Sequence, residues 1–410
     1  MSYNTAKKSL PASTWFLIIS ACLLLLLSFG YRSSYGLFVQ PISEANGWGR
    51  DVISLALAIQ NLVWGIVAAF AGGLADRFGN TKVIVGGALF YALGLWLTAG
   101  VATETMLHTS AGLLVGAGIA GTSFGIVLPA MARAVDASRR QWVLGVGTAA
   151  GSMGQFILAP VTQGLIDAFD WMTALNILAF SALAMALLAM PLAPYSGANE
   201  QLDADSEQTL SQALSEAFGH SSYIYLTFGF FVCGFHVAFI TAHMPAFLVD
   251  AGFSAQVGAW SIALIGLCNV IGAFASGIIS GHKPKRYVLV FIYAARAVII
   301  AAFMLIPLSL TSVLIFSCCM GFLWLATVPP TSGLVATFFS TRYMATLYGI
   351  VFMSHQLGRF SGIWLGGWLF EIQGNYNGLW WTGVVLSVLA VILHIPIKEF
   401  SVQRLQTNPT

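Results

Sequence analysis

Three arginines lie inside long apolar stretches of the sequence, where a charge is costly. Arg32, Arg296 and Arg359 are each surrounded by runs of uncharged residues long enough to cross a bilayer. A cation at membrane depth costs about 2.5 to 3.5 kcal/mol on insertion scales and usually faces a cavity or a partner. No Asp or Glu lies inside these stretches. The sequence therefore predicts that a buried guanidinium binds an anion that the protein itself does not supply.

Arg32 is the first candidate for that role. It lies in the segment FGYRSSYGLF, residues 29–38, with Ser28, Tyr35 and Gly36 three or four positions away and so on the same helix face. That face offers a cation, hydroxyl groups and room for a ligand, so Arg32 and Tyr35 are predicted to bind substrate. The alternative is that Arg32 extends to the outer surface, because the predicted span ends at residue 39, about 10 Å along the helix axis.

Arg359 is the second candidate, and it follows His355 by about one helical turn. Residues four apart share a helix face, so both side chains are predicted to line one path. The alternative is an interhelical hydrogen bond that only holds the helices together. Arg296 is a weaker candidate for touching substrate, with pairing to a neighbouring carbonyl as its alternative.

Histidines are the residues that could carry a proton through such a path. His236 and His243 are seven residues apart, nearly on one face, and His355 lies beside Arg359. Histidine titrates near neutral pH, which makes all three predicted proton-coupling and substrate-binding residues. The alternative for each is a buried histidine with satisfied hydrogen bonds. No third ligand clusters with them, so we expect no metal site.

The composition requires these residues to be positioned by membrane-spanning helices. Of 410 residues, 58% are hydrophobic and 8% are charged, whereas soluble domains have about 25% charged residues. The formal net charge of +2 gives no basic surface for nucleic acid. The five cysteines lack metal-ligand spacing, and no phosphate-binding loop or hydrolytic triad is present. We expect an integral membrane protein that is neither an enzyme nor a cofactor-binding protein.

Apolar stretches of about 20 residues predict twelve transmembrane helices in an all-α protein. Their limits are 15–39, 52–75, 82–103, 109–132, 141–166, 171–193, 223–247, 256–281, 287–308, 312–336, 345–370 and 378–397. An acidic linker, 194–222, separates two predicted six-helix bundles, 1–193 and 223–410. Thirteen of the 17 Lys and Arg residues then lie on the side of the termini, which predicts cytoplasmic termini in the inner membrane.

The two halves resemble each other. GTAAGSMGQFILAPVTQGLID begins at Gly147, and GIVFMSHQLGRFSGIWLGGWLFE begins at Gly349, about 200 residues later. The counterpart of Arg359 in the first repeat is Gln155, which follows Gly147 by eight residues where Arg359 follows Gly349 by ten, so both repeats place a polar residue at a similar depth. A duplication of this kind indicates a transporter whose site lies between pseudo-symmetric halves.

The loop GGLADRFGNTK, residues 72–82, resembles the cytoplasmic signature of the major facilitator superfamily, with Gly72, Asp76, Arg77 and Gly79 at the matching positions. The resemblance implies a cytoplasmic gate, in which Gly72 allows close helix packing, Gly79 a tight turn, and Asp76 a contact made in one state. A plain loop with an Asp and an Arg is the alternative.

Within that superfamily the sequence is similar to bacterial relatives of the monocarboxylate and oxalate/formate transporters. The stretches FFVCGFHVAFITAHMPAFL and GFLWLATVPPTSGLVA carry this resemblance along with the segments around Arg32 and Arg359. It implies a secondary carrier, expected to be a monomer in the lipid bilayer, that moves a small organic anion with a proton. The Asp and Arg of animal monocarboxylate transporters are replaced here by Asn269 and Ala273.

The sequence predicts two further residues of the substrate site and leaves two alternative functions. Asn269 and Trp324, the latter shortly before Pro329 and Pro330, are predicted to line the substrate site. A carrier of a larger amphipathic metabolite, such as a vitamin, siderophore or drug, is the first alternative function. A membrane receptor that does not transport is the second.

Overall fold

The computed structural model describes residues 10–195, 209–339 and 344–402, and these residues form helices joined by short connections. The first six membrane helices are helix 1 at Ala12–Asn46, helix 2 at Arg50–Phe78, helix 3 at Asn80–Ala99, helix 4 at Glu104–Arg133, helix 5 at Ala137–Ala168 and helix 6 at Trp171–Pro194. Helix 4 contains a π-helical segment at His108–Leu114, and helix 6 ends in a 3-10 segment at Met190–Tyr195.

A short helix, Leu210–Gly219, precedes the second set of six. These are helix 7 at Ser221–Asp250, helix 8 at Ala255–His282, helix 9 at Lys285–Leu305, helix 10 at Leu310–Phe339, helix 11 at Met344–Gln373 and helix 12 at Asn377–His394. Helix 10 consists of two α-helices, Leu310–Leu323 and Val328–Phe339. Twelve long helices are thus present at the predicted places in the described residues.

Helix 11 differs from the others in composition. Eleven of the described helices are long and apolar enough to cross a membrane by length and composition, and helix 11 is the exception. Its 30 residues are sufficient in length, since about 20 cross the hydrocarbon core. Its polar side chains, among them Ser354, His355, Gln356 and Arg359, lower its hydropathy. A polar helix inside a membrane bundle is expected to face other helices or a cavity rather than lipid.

Helix 1 changes form just after Arg32. Its α-helical part ends at Ser34, a 3-10 turn follows at Tyr35–Phe38, and α-helix resumes at Val39–Asn46. The Ser34 hydroxyl donates to the Gly30 carbonyl at 2.9 Å, a bond that competes with the backbone and often bends helices. At Gly36 a Cβ atom would collide with the carbonyl oxygen of Thr241 on helix 7. Glycine therefore allows helix 1 to approach helix 7 at this depth.

The buried apolar residues form two large clusters. One draws on residues 17–192 and adds Ala238, Ala242 and Ile363; the other draws on residues 217–402 and adds Ala159. The two halves meet mainly where helix 2 packs on helix 11 and helix 5 packs on helix 8. The exact bundle limits, 1–193 and 223–410, stay a prediction, and residues 196–208 of the predicted linker lie outside the described residues.

Contacts between the halves are concentrated at one end, here called the Arg50 end. The opposite end, here called the termini end, holds the start of helix 1 and the last residue of helix 12. At the Arg50 end, side chains of helices 2 and 7, and of helices 5 and 8, are bonded across the halves. Toward the termini end, a Cβ at Gly72, Gly145, Gly277 or Gly349 would meet no atom within 4 Å. These four glycines, on helices 2, 5, 8 and 11, therefore face open space rather than a neighbouring helix.

Candidate functional site

Arg32 lies deep in the bundle without a matching acid. Its guanidinium carbon is 5.3 Å from the ring centroids of both Phe29 and Trp64. Its Nε and Nη1 atoms are buried and have no hydrogen-bond partner among the described residues. Helix 1 continues to Asn46, 14 residues further, or about 21 Å along the axis. The expected separation of about 10 Å from the end of the span was therefore wrong, because the 3-10 turn does not end the helix.

Arg359 approaches the same place from the other half. It lies midway along helix 11, and its Nε donates to Oδ1 of Asn61 on helix 2 at 2.5 Å. The neighbouring Gln356 donates from Nε2 to the Asn61 carbonyl at 3.0 Å. Arg359 is 4% exposed, and its guanidinium carbon is 5.7 Å from the Trp64 ring centroid. Arg359 therefore makes the interhelical bond that was its alternative role, and it also faces Trp64.

Trp64 thus contacts a guanidinium from each half of the protein. Both guanidinium carbons lie within 5.7 Å of one ring, so they are within about 11 Å of each other. At that separation two like charges repel by about 1.5 kcal/mol at an effective dielectric of about 20. Neither arginine forms an ion pair with a described residue. The aromatic face offers each cation a weak electrostatic partner. The arrangement brings two guanidinium groups, one from each half, close to one aromatic ring inside the bundle.

A small cavity of about 20 Å³ lies between these arginines and helix 7. Its lining includes Tyr35 and Gly36 of helix 1, Gln60 and Asn61 of helix 2, Thr241 of helix 7, and both arginines, with no carboxylate. Such a volume holds about one water molecule. The cavity is too small for an organic anion, so binding one requires the halves to separate around the two arginines.

His355 has the position predicted for it, one turn before Arg359. Its ring is stacked on Phe352 at a centroid distance of 5.8 Å and lies 4.8 Å from Phe230. Its Nδ1 is 3.2 Å from Oε1 of Gln356, and its buried Nε2 has no partner in the part of the chain that the structure describes. The predicted part of His355 in proton coupling stays a prediction.

His236 and His243 lie away from the cavity lining. His236 has Nε2 at 2.8 Å from the Gly383 carbonyl of helix 12, and His243 has Nε2 at 2.8 Å from the Ile363 carbonyl of helix 11. Each Nε2 donates to a backbone carbonyl and joins helix 7 to a neighbour, as expected of a hydrogen-bonded buried histidine. The Nδ1 atom of each ring is buried and has no partner among the described residues. The proposed part of both histidines in proton coupling stays a prediction.

Asn269 and Trp324 are also placed in packing contacts rather than in the cavity. Asn269 donates to Ser152 of helix 5 at 2.9 Å and accepts from the Leu325 backbone N–H at 2.9 Å. Trp324 is 2% exposed and lies where helix 10 is interrupted. Its carbonyl accepts from Arg296 Nη2 at 2.5 Å. Arg296 satisfies carbonyls that the broken helix exposes, which is the structural role given as its alternative.

The predicted gate loop is a single-residue turn. Helix 2 ends at Phe78 and helix 3 begins at Asn80, while Gly79 between them has φ of 91°, a conformation that favours glycine. Arg77 is exposed, with its guanidinium carbon 5.2 Å from the Phe78 ring. Gly72 meets no neighbouring helix in this arrangement, in contrast to the close packing expected of it. The side chain of Asp76 lies outside the described residues.

An ion pair at the Arg50 end was not predicted from the sequence. Arg50 of helix 2 donates to Asp250 of helix 7 from Nη1 at 2.5 Å and from Nη2 at 2.8 Å, and also to the Tyr376 hydroxyl at 3.2 Å. Its guanidinium carbon lies 4.1 Å from the Phe370 ring, and its backbone N–H donates to Glu371 at 2.7 Å. The only signal in the sequence was that Arg50 is the one basic residue in the loops of that side.

Twelve helices in two sets, with buried cations at their junction, define a membrane carrier. The chain belongs to the Major Facilitator Superfamily, whose family model matches residues 21–363. It is 24% identical over 380 residues to the uncharacterized MFS-type transporter YcxA of Bacillus subtilis (strain 168), covering 89% of this chain and 90% of that protein. It is also 24% identical over 370 residues to monocarboxylate transporter 13 of Bos taurus, covering 88% and 84%.

Solved structures share the fold at low sequence identity. A bacterial homolog of the human lysosomal transporter Spinster, in an inward-facing and occupied conformation, has a TM-score of 0.75 at 14% identity and covers 94% of this chain and 97% of that one. The nucleoside transporter NupG has a TM-score of 0.77 at 14% identity, covering 93% and 99%. These likenesses show the architecture and leave the substrate to be argued from the site.

Proposed function

We propose that the protein is a secondary carrier that moves a small organic anion, such as a monocarboxylate, together with a proton. The observation that carries the proposal is the pair Arg32 and Arg359, which contribute one cation from each half at mid-membrane. A ligand between them would contact both halves at once, as alternating access requires. A carboxylate accepts two parallel N–H bonds from a guanidinium, which makes it a good partner for each arginine.

We assign this conformation to a state that is closed at the outer end. Basic residues in the loops on the side of the termini indicate that this side is cytoplasmic, and the membrane is proposed to be the inner membrane. The halves are joined at the Arg50 end by side-chain bonds between helices 2 and 7 and between helices 5 and 8. The Arg50–Asp250 pair would then close the outer entrance while substrate leaves toward the cytoplasm.

Relatives support the anion class among the possible substrates. Monocarboxylate transporters of several vertebrates match most of the chain at 23–24% identity. The second candidate is a carboxylate with a larger apolar body. It is favoured by the aromatic rings around Arg32, where Phe29 is stacked on Phe124 at 4.0 Å and meets Trp64 at 6.1 Å. Both candidates need the same two arginines.

The test is uptake and ligand stabilisation by the purified protein. Lactate, pyruvate and larger aryl carboxylates are compared in proteoliposomes with an imposed pH gradient and in thermal unfolding, since a bound ligand raises the unfolding temperature. We expect Arg32→Gln and Arg359→Gln each to weaken binding at least about tenfold, because hydrogen bonds to charged groups contribute about 1.5 to 3 kcal/mol.

Arg140→Gln is the matched control, because Arg140 is an exposed arginine at the start of helix 5. It should leave binding and uptake as in the unaltered protein. Absence of uptake and exchange for every carboxylate, at every pH gradient, would remove the proposed function. Unchanged affinity in both arginine variants would place the substrate elsewhere.

A further inference from the structure

Helix 2 places two uncharged side chains against the two arginines. Asn61 and Trp64 are three residues apart, so they lie on one face of the helix. Asn61 contacts Arg359 of the second half, and Trp64 contacts both Arg359 and Arg32. The predictions from sequence assigned neither residue to the site. The question is what these contacts do when no anion is bound.

The orientation of the Asn61 amide is fixed by its two partners. Its Nδ2 donates to the Leu57 carbonyl at 2.8 Å, which directs Oδ1 toward the N–H of Arg359. The reverse orientation would set an NH₂ group against a guanidinium, which has no acceptor. The Asn61 backbone carbonyl is occupied as well, by Gln356. The Asn61 side chain is therefore oriented by a bond within its own helix, so that its Oδ1 accepts a hydrogen bond from Arg359 of the second half.

Trp64 partners the arginine that has no acceptor. Arg32 has two buried nitrogen atoms without hydrogen bonds in the described parts of the chain, and its closest aromatic neighbours are Trp64 and Phe29. An indole is the best aromatic partner for a cation, and the attraction increases when water is excluded. Trp64 is 6% exposed, so its ring is enclosed by the same helices.

We propose that Asn61 and Trp64 are positioning residues that hold Arg32 and Arg359 in the empty carrier and release them to the substrate anion. This rests on the proposed function, since it assigns their roles within the anion site. An uncharged amide and an indole can hold the cations without neutralising them. A carboxylate at position 61 would form an ion pair with Arg359 and compete with the substrate. The pair therefore matters most in the step in which the empty carrier reorients.

Net uptake and exchange separate that step from the others. Net uptake of radiolabelled lactate requires the empty carrier to return, whereas lactate–lactate exchange does not. We expect Trp64→Leu to lower net uptake more than exchange. The ratio of exchange to net uptake should rise by about fivefold, because loss of one cation–π contact typically changes an equilibrium by about that factor. Trp64→Phe should give an intermediate ratio, because it keeps a weaker aromatic face. Trp96→Leu, which changes an exposed tryptophan on helix 3, should keep the ratio of the unaltered protein.

Thermal unfolding tests the same claim without transport. In Trp64→Leu the lactate-free protein should lose more stability than the lactate-bound protein, so the upward shift produced by lactate should exceed that of the unaltered protein. Asn61→Asp should do the opposite: the lactate-free protein gains an ion pair, and lactate affinity falls about tenfold or more. A residue with only a packing role would change both states equally.

The measured outcomes separate a failure of the proposed function from a failure of the roles assigned to Asn61 and Trp64. If the unaltered protein neither takes up nor exchanges lactate and is not stabilised by it, the proposed function fails for this probe. If it transports lactate but Trp64→Leu lowers both modes by one factor, and Asn61→Asp leaves affinity unchanged, the holding role is overturned. Should Trp64→Leu fail to fold, Trp64→Phe and Asn61→Asp decide the question by the same readouts.

Discussion

At the scale of single residues, the site depends on cations that lack an acid. Arg32 and Arg359 carry charge into the bundle, while the cavity between them is lined by amides, hydroxyls and apolar groups. Arg296, which is fully buried, is different because its Nη2 atom meets two backbone carbonyls, those of Leu323 and Trp324. The Nε and Nη1 atoms of Arg296, like those of Arg32, have no partner among the described residues, so what separates Arg296 from Arg32 and Arg359 is its place outside the cavity lining.

His355 is the residue that we expect to couple the proton. It lies one turn from Arg359. Like His236 and His243 it has one buried ring nitrogen without a described partner, but its other nitrogen contacts the Gln356 side chain, whereas the Nε2 atoms of His236 and His243 donate to backbone carbonyls. His355→Gln should abolish the stimulation of uptake by an inward pH gradient and leave exchange less affected. The measurement is initial uptake rate with and without the gradient.

His394→Gln serves as the comparison, because this histidine is buried at the end of helix 12, where its Nδ1 lies 2.7 Å from the Ala390 carbonyl. Its uptake should still respond to the gradient. Gradient-driven uptake that persists in His355→Gln would assign the proton to another group.

Sequence reasoning identified the cations but not their neighbours. Arg32, Tyr35 and Arg359 line the cavity, as their depth in apolar segments suggested. Asn61 and Trp64 were not recognised because an amide and an indole are ordinary residues of a membrane helix. Only the packing of helix 2 on helix 11 and the contact between Trp64 and Arg32 of helix 1 show that they face the arginines. Asn269 was chosen because family alignment gave its position, and its side chain here bonds helix 5 and helix 10, so its contact with substrate stays a prediction.

At the scale of helices, the close approach of helix 1 and helix 7 depends on Gly36. A Cβ at this position would collide with the backbone of Thr241 and Ala242. Gly36→Ala should push helix 1 away from helix 7 next to Tyr35, since overpacking typically costs about 1 to 3 kcal/mol. We expect a lower unfolding temperature and weaker anion binding.

Gly86→Ala on helix 3 is the matched change, because a Cβ there meets no atom within 4 Å. It should leave both quantities unchanged or raise stability slightly, as alanine favours helix. Equal unfolding temperatures for the two variants would show that the Gly36 contact adapts without cost.

The hydropathy of the sequence predicted the membrane helices well, but it was least informative for helix 11, which carries Arg359 of the candidate site. Helix 11 has the polar residues that lower its hydropathy, and it also contributes Arg359 and His355 to the site. The 3-10 turn in helix 1 and the interruption of helix 10 depend on local contacts that periodicity does not report. Predicted helix ends were therefore in error where a helix continues through such a break.

At the scale of the molecule, the Arg50–Asp250 pair joins the halves at one end. We expect Asp250→Asn to weaken this closure, because an ion pair bonded through two N–H groups becomes a weaker neutral contact. A cysteine introduced at Ser54, which is fully buried near that end, should then react with a membrane-impermeant maleimide at least about fivefold faster in Asp250→Asn than in the parent protein. Both proteins carry this cysteine in a cysteine-free background.

Glu104→Gln is the comparison, since Glu104 is an exposed acid at the same end. It should leave the rate of modification unchanged. A rate that is equal in Asp250→Asn and in the parent protein would show that apolar packing alone closes this end.

Two positive charges fixed at mid-membrane also make the carrier sensitive to voltage. An elementary charge that crosses the whole field gains or loses about 2.3 kcal/mol per 100 mV. In the proposed orientation, an inside-negative membrane potential favours the state in which the empty site, with two positive charges, is open to the cytoplasm. A bound monoanion leaves one net positive charge and so halves this electrical preference. For an anion that moves alone, the membrane potential would oppose return of the empty carrier more strongly than it favours inward movement of the loaded one. A proton that enters with the anion restores the second positive charge to the loaded carrier, so the proposed coupling to a proton removes this electrical cost.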